Sequence, residues 1–234
     1  MYHIAEYAFV LRNLLFADGG ALKTTDGTTT SLKARFSSIH SFAQISRSEV
    51  IFTDFNNHCL RSLDRKTNQT STYCCNCTNI GHRDGVDALL AHPVSVILDL
   101  MNSQQLIISE YYSGSLRTVN TVSKHVSTIY LEISYRLAYL LQDSAKGDIY
   151  ATFNRGVGFY DYQSNKFCVI TGSATFGFLD GELSRLNFNA PRGLAFLSHS
   201  TLLVADVNNY RLRVLDLTTN TSSSICSGIK LGLY

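Results

Sequence analysis

The chain has 234 residues, 45% of them apolar, so it is long enough for one or two ordinary domains and too apolar to be mainly disordered. Its 20 Lys and Arg residues nearly balance 18 Asp and Glu residues, and a net charge of +2 gives no long-range field for nucleic acid or an anionic membrane. Only 2 prolines and no tryptophan occur, while 13 tyrosines and 13 phenylalanines favour β-strands over helices.

The N-terminal segment is apolar but short. Its best apolar stretch runs from Tyr7 to Phe16 and is interrupted by Arg12 and Asn13, whereas a spanning helix needs roughly 18 to 20 apolar residues in succession. No basic region precedes an apolar run with a small-residue cleavage site, so the segment is not a secretory signal. If the protein is secreted, we expect the signal to lie outside this sequence.

An internal repeat organises the rest of the chain. Three segments align with one another and a fourth, one residue shorter, is a worn copy; they are Phe52 to Asp64, Ile108 to Asn120, Val204 to Asp216 and, in the worn copy, Tyr150 to Asp161. From Asp54 to Asp206 is 152 residues over three repeats, which gives a mean period of about 51. An Asp-Gly pair stands upstream of three copies, at Asp26, Asp84 and Asp180. We interpret these aspartates as turn positions that hydrogen-bond locally.

Each repeat is predicted to hold four short strands. In the last one they are Gly193 to Leu197, Thr201 to Ala205, Arg211 to Asp216 and Thr221 to Cys226, joined by short polar connections typical of an antiparallel meander. The best alternative helix, Tyr130 to Gln142, is interpreted as the first strand of the third repeat with its leader. Four-stranded units at this period predict an all-β fold, a β-propeller of antiparallel blades.

The spelling of the repeat resembles the NHL family. Asn57 to Leu60 and Asn209 to Leu212 fall where NHL repeats carry their Asn-His-Leu signature, and Pro191 to Ala195 matches the Pro-x-Gly-Leu-Ala of that consensus. The resemblance divides the chain into four blades, which are residues 19–77, 78–131, 132–172 and 173–228, approximately. Val10 to Leu15 is an extra strand, so that 1–18 is predicted to be the outer strand of a preceding or closing blade.

Family propellers usually have six blades. The chain therefore resembles part of a longer propeller, or one closed by a second chain. An opened propeller exposes a long sheet edge, which promotes association. A compact four-blade disc is the alternative.

Acid and arginine recur seven residues apart at the same two repeat positions. The pairs are Asp54 with Arg61, Glu110 with Arg117, and Asp206 with Arg213. In the worn copy both members are missing, since Thr152 stands for the acid and Phe159 or Gly158 for the arginine. Removing one member of a partly buried ion pair leaves an uncompensated charge and is strongly destabilising, which explains why both members are lost together. We predict ion pairs that brace each hairpin.

The cysteines favour an oxidising compartment. If the turn after the third strand of the first blade is centred near residue 67 or 68, Cys59 faces positions 75 to 77, and a disulfide to Cys77 or Cys75 is within reach. Secreted NHL proteins resemble this chain in having one cysteine after the Asn-His and another before the next Asp-Gly. A zinc site is the alternative, although the paired C-x2-C spacing is absent. We expect Cys168 and Cys226 to be buried thiols.

Three N-x-S/T sequons occur, at Asn68, Asn76 and Asn220. Asn68 and Asn220 occupy the same turn between the third and fourth strands of their blades, on the predicted outer rim, where a glycan does not disturb packing. Asn76, between two cysteines, is the sequon we least expect to carry one. Together with the cysteine pair, these positions predict the secretory pathway.

No catalytic set emerges from the sequence. The only channel-mouth candidates are His40 and Arg192, which share a first-strand position with Val94. Peptidyl-hydroxyglycine amidating lyases are propellers that bind zinc through histidines at such a mouth, but they would need histidine at several equivalent positions.

We therefore predict a non-catalytic extracellular or cell-surface module without a cofactor or metal. Its expected partner is a protein, or a second copy bound through a propeller face or open edge. The alternatives are a metal-dependent propeller enzyme and an intracellular protein- or RNA-binding adaptor. We expect no nucleic-acid partner, because the basic residues are spread evenly along the chain.

Overall fold

The computed structural model describes residues 35–172, 176–177 and 179–227. Within these ranges the chain is almost entirely β-strand and turn. The first sheet holds β1 (Ile39–Gln44), β2 (Glu49–Asp54), β3 (Cys59–Asp64) and β4 (Gln69–Cys74). The second holds β5 (Pro93–Leu98), β6 (Gln105–Glu110), β7 (Ser115–Asn120) and β8 (Val126–Leu131). The third holds β9 (Leu140–Gln142), β10 (Ile149–Phe153), β11 (Gly156–Asp161) and β12 (Lys166–Gly172). The fourth holds β13 (Gly181–Glu182), β14 (Pro191–Ser198), β15 (Thr201–Asp206), β16 (Arg211–Asp216) and β17 (Thr221–Ser227).

The first three sheets are meanders whose strands lie in chain order. The fourth has the order β13-β17-β16-β15-β14, because the two-residue strand β13 adds to its outer edge. This repeated architecture confirms the predicted fold, a β-propeller of four-stranded antiparallel blades. The extra strand predicted at Val10 to Leu15 lies outside the described residues. No helix in the described ranges has the length and apolar character needed to cross a membrane.

The connection from the second to the third strand is the same in the first and fourth sheets. A single 3-10 turn, Phe55–Asn57 or Val207–Asn209, follows the second strand. It ends at His58 or Tyr210, whose φ angles of 59° and 54° lie in the left-handed region. This left-handed residue redirects the chain into the third strand.

A side-chain cap closes the turn between the third and fourth strands. Asp216 Oδ1 accepts the backbone N–H groups of Thr218 and Thr219 at 2.8 and 3.0 Å. Equivalent caps recur in the other three sheets, at Asp64, Asn120 and Asp161. Because Asp and Asn oxygens reach backbone donors two or three residues ahead, each third strand ends in a tight polar turn.

The chain divides into two compact units. The first contains residues 35–98, Gln104–Glu110 and Thr118–Thr128, and its core joins the first sheet to strands of the second. The second contains Asp99–Ser103, Tyr111–Arg117 and residues from 129 onward, and its core joins the third sheet to the fourth. The assignment of the whole chain to one domain with the blade limits given above stays a prediction.

Candidate functional site

The fourth sheet contains a buried network centred on Arg213. Its Nη1 lies 3.2 Å from Asp206 Oδ2, and both side chains are fully buried. Its Nη2 lies 2.8 Å from Asp180 Oδ1 and donates to the Leu179 carbonyl at 2.6 Å. The expected pair is therefore part of a triad in which one guanidinium contacts two carboxylates.

The asparagine of the repeat holds the acid in place. Asn57 Nδ2 donates to both oxygens of Asp54 at 2.9 Å, and Asn209 Nδ2 donates to Asp206 Oδ2 at 2.8 Å. A backbone N–H ahead of the first strand completes each site, from Ser37 in the first sheet. Burial raises the pKa of Asp54, although these donors and the charge of Arg61 lower it.

The other predicted pairs have different surroundings. Arg61 and Arg117 are fully buried, and Arg61 donates to Thr72 Oγ1 at 3.1 Å. Glu110 is also fully buried, where its Oε1 accepts the Ala91 N–H at 2.8 Å and its Oε2 lies 3.2 Å from His82 Nδ1. His82 thus contacts the acid of the second sheet, as the signature asparagine does in the first and fourth sheets.

The worn copy replaces the ionic site with a neutral one. Thr152 was assigned to the acid position, and this was wrong. Its Oγ1 accepts the Tyr139 N–H at 3.1 Å as Thr53 Oγ1 accepts the Ser41 N–H in the first sheet, so it is the equivalent of Thr53. By strand register Phe153, which pairs with Gly156 as Asp54 pairs with Cys59, stands for the acid. Gly158, which pairs with Ala151 as Arg61 pairs with Phe52, stands for the arginine. Both positions of the worn copy are therefore uncharged, and neither carboxylate nor guanidinium is left without the other.

The Asp-Gly pairs were interpreted wrongly as locally bonded turns. Gly85 and Gly181 do have positive φ angles of 112° and 124°. The carboxylates, however, bind the outer strand of the blade that follows: Asp84 accepts the N–H of Thr128 at 3.0 Å, and Asp180 that of Ser224 at 3.0 Å. The positive φ turns the chain alongside the outer strand, which brings the carboxylate to that strand's N–H groups. Asp26 lies outside the described residues.

The structure selects one of the two disulfides left open. Cys59 and Cys77 are bonded, with Cα atoms 4.9 Å apart, while Cys75 lies outside this bond. Cys168 is exposed, so its expected burial was wrong. It lies in the outer strand β12, where its neighbour Phe167 turns inward and stacks on Tyr130. The side chain of Cys226 lies outside the description.

All three sequon asparagines are exposed. Asn68 and Asn220 occupy equivalent left-handed turn positions with φ angles of 56° and 57°. Asn76 Oδ1 accepts both the N–H and the hydroxyl of Thr78, at 2.9 and 2.7 Å. Their glycosylation stays a prediction.

His40 and Arg192 are partly buried, each at the start of its first strand. His40 packs on Phe55, whose ring also contacts His92, and His92 contacts His58. In the part of the chain that the structure describes, no three His, Cys, Asp or Glu side chains are grouped so as to hold a metal. The arrangement supports aromatic packing around Phe55.

The largest difference between equivalent surfaces separates the first and fourth sheets. Strand register pairs five positions of one with five of the other. In the first sheet, the covered face consists of Ala43, Ile51, Thr53, Leu60 and Ser62. In the fourth sheet, the open face consists of Ala195, Leu203, Ala205, Leu212 and Val214.

These two faces differ in burial. Every residue of the covered face is at most 8% exposed, and Thr53 Oγ1 donates to the Val94 carbonyl of the second sheet. Leu212 of the open face is 39% exposed, and the other four members are exposed or half-buried. The opposite face of the fourth sheet packs Leu202 and Val204 on the third sheet. Among the described residues, the open face is therefore the candidate interaction surface of this sheet.

Comparisons with known proteins give distant relatives. No family model matches the chain. A curated protein, "Protein SUPPRESSOR OF QUENCHING 1, chloroplastic" of Arabidopsis thaliana, is 24% identical over 186 residues that cover 76% of this chain and 14% of the relative. The chain therefore spans a small part of that relative's length.

Several solved structures resemble the fold. A Bacteroides thetaiotaomicron protein of unknown function has a TM-score of 0.54 at 16% identity, covering 89% of this chain and 62% of its own. An auxiliary nutrient binding protein from Bacteroides ovatus has a TM-score of 0.61 at 10% identity, covering 81% and 47%. An extracellular domain of a putative hybrid two-component system from B. thetaiotaomicron has a TM-score of 0.56 at 13% identity, covering 82% and 22%. At these identities the likeness shows the fold alone, and membership of the NHL family stays a prediction.

Proposed function

We propose that this chain is a non-catalytic interaction and assembly module on an NHL-type propeller, which works outside the cell or at its surface as part of a larger assembly. The observation that carries the proposal is the open face of the fourth sheet. This face carries aliphatic side chains at register positions that are buried in the first sheet. Such an apolar surface is suited to a protein partner.

The composition of the open face supports burial in an assembly. Where the covered face has the hydroxyl residues Thr53 and Ser62, the open face has Ala205 and Val214. Surface positions that no partner covers usually carry polar residues. Here the more exposed of the two faces is the more apolar one.

The repeat also indicates what kind of surface would cover it. The covered face packs against Val96, Leu106 and Ile108 of the second sheet, which are themselves aliphatic strand residues. A second copy of this chain offers the same type of sheet through its own open face. We therefore assign the open face to self-association about a twofold axis, in which identical faces meet.

Two features support an extracellular location. Structural disulfides such as Cys59–Cys77 are typical of oxidising compartments, and all three sequon asparagines are exposed. One of the resembling structures is an extracellular domain, and another is a nutrient-binding protein, as their descriptions state.

Light scattering after size exclusion, over a range of concentrations, tests the proposal. We expect a dimer that Leu212→Glu converts to monomer, because a buried carboxylate at the interface would lack a partner. Val122→Glu is the matched control, since Val122 is 75% exposed and lies in the turn between β7 and β8 of the second sheet. A chain that stays monomeric at all concentrations, or a Val122→Glu variant that also dissociates, would contradict self-association. Stoichiometric zinc bound through the channel-mouth histidines would contradict a non-catalytic role.

A further inference from the structure

Beyond the Cys59–Cys77 bond, two more cysteines meet at the end of β4. Cys74 is the last residue of that strand and is buried, and Cys75 follows it and packs against the core of the first unit. Their sulfur atoms lie 2.6 Å apart. Non-bonded carbon atoms meet at about 3.5 to 4 Å and sulfur is larger, whereas bonded sulfurs lie about 2.05 Å apart. The separation is therefore far inside non-bonded contact and near bonding distance.

The backbone is shaped for this approach. Cys75 has a φ angle of 74°, in the left-handed region that a residue with a side chain seldom adopts. In an extended strand, successive side chains point to opposite faces, which would keep neighbouring sulfurs apart. The left-handed residue ends that alternation and turns the second sulfur toward the first.

We propose that Cys74 and Cys75 are a modification site at which a disulfide donor oxidises the two neighbouring sulfurs to a vicinal disulfide. The thiolate of one cysteine attacks a sulfur of the donor, expels one donor thiolate and forms a mixed disulfide. The thiolate of the other cysteine then attacks the protein sulfur of that mixed disulfide and expels the second donor thiolate. The cysteine pair loses two electrons and two protons, and the donor disulfide becomes two thiols.

A disulfide between Cys74 and Cys75 leaves Cys59 and Cys77 as the one remaining pair among the four cysteines of this sheet and its C-terminal loop. It also has a recognisable chemistry, since the Cα atoms of adjacent residues are about 3.8 Å apart, below the roughly 4.4 to 6.8 Å of ordinary disulfides. Departure from that range makes a disulfide easier to reduce. We therefore expect Cys74–Cys75 to open before Cys59–Cys77, whose Cα atoms are 4.9 Å apart.

Peptide mapping tests the site on the whole protein. Protein purified without reductant is treated with oxidised glutathione, alkylated after denaturation, freed of any N-glycan and digested with trypsin. Cleavage yields peptides 48–61 and 67–83, joined through Cys59 and Cys77, with Cys74 and Cys75 both in the second. We expect the linked pair to carry no alkyl group and to be lighter than the dithiol form by two hydrogen atoms.

Variants and graded reduction complete the design. Cys75→Ala should leave Cys59–Cys77 in place and add one alkyl group at Cys74, whereas Cys168→Ala, the exposed control, should leave both peptides unchanged. Stepwise dithiothreitol should give two alkyl groups on the second peptide before the two peptides separate. Two alkyl groups at Cys74 and Cys75 in the oxidised wild type, or a bond from either residue to Cys59, would overturn the proposal.

Discussion

Ile51 and Leu60 of the first sheet are fully buried, whereas Leu203 and Leu212, at the same register positions of the fourth sheet, are not. The strands, turns and acid–asparagine contacts of the two sheets are otherwise alike. Among the described residues, the second sheet packs on this face of the first sheet, and no sheet packs on the equivalent face of the fourth. Each blade of the repeat therefore has two apolar faces, and a face is buried only where another sheet packs against it.

The largest effect is expected from the arginine network that backs the open face. Arg213→Ala leaves Asp206 fully buried without its counter-charge, which costs about 3 to 5 kcal/mol of unfolding free energy. Urea unfolding measures it. The control is Arg185→Ala, which removes an exposed pair with Glu182 at 3.6 Å and should change stability by less than about 0.5 kcal/mol. Equal effects in the two variants would mean that the network does not brace the fourth sheet.

The two leucines test the comparison directly. Leu60→Ala removes a side chain with no exposed surface and should cost about 2 to 5 kcal/mol. Leu212→Ala removes one that is 39% exposed, and in the monomer it should cost less than about 1.5 kcal/mol. Both are measured at concentrations where the chain is monomeric. Similar losses would show that the open face is covered even within one chain.

Much of this fold follows from sequence periodicity, because most strands are short and carry apolar residues, and each third strand ends in an Asx turn. The spacing of Asp206 and Arg213 also anticipated their contact, since residues on paired strands of a tight hairpin are neighbours. Asp180 could not be found in this way. It reaches Arg213 from 33 residues upstream by pairing along the outer strand, a long-range contact that no local pattern encodes. A repeated Asp-Gly ahead of three of the four blades was the available signal, and it was assigned to a local turn.

Exposure was the other property that the sequence left open. The open face and the covered face have the same strand pattern, so periodicity predicts burial for both. The predicted burial of Cys168 was wrong for a related reason. Cysteine is usually buried, but an outer strand has one face in solvent, and Cys168 is exposed there. Which sheet lacks a neighbour is a property of assembly and not of any single strand.

The pH dependence of stability should differ between the residue that precedes β5 in the second sheet and the one that precedes β14 in the fourth. Burial, and then the charge of His58, lower the pKa of His92 to about 4, with Glu110 acting in the opposite sense. The unfolded chain binds this proton near pH 6.5, so the stability contributed by the neutral histidine is full above that pH and is lost as pH falls toward 4. Ala190 occupies the same position of the fourth sheet with a similar φ of 52°.

His92→Ala, which copies that position, should therefore flatten the decline of stability between about pH 6.5 and 4. Urea unfolding at several pH values measures the slope, and above pH 7 the variant and the parent should run parallel. An unchanged slope in this window would mean that His92 is protonated as readily in the folded chain as in the unfolded one.

The smallest effects are expected where the two sheets are the same. Backbone N–H groups of the following turn lower the pKa of Asp64 and Asp216, with those of Lys66 and Thr219 the strongest. Asp64→Ala and Asp216→Ala should therefore cause small and equal losses at neutral pH. The pKa shift places this stability above about pH 4, and it is lost as pH falls through the lowered pKa of each carboxyl. Asp216→Asn is the matched control, because Asn120 makes the same cap in the second sheet. The asparagine variant should keep the cap and lose the acid dependence. Unequal losses from the two alanine variants would mean that the absent neighbour changes the turn as well as the face, so that the two sheets differ in more than what covers them.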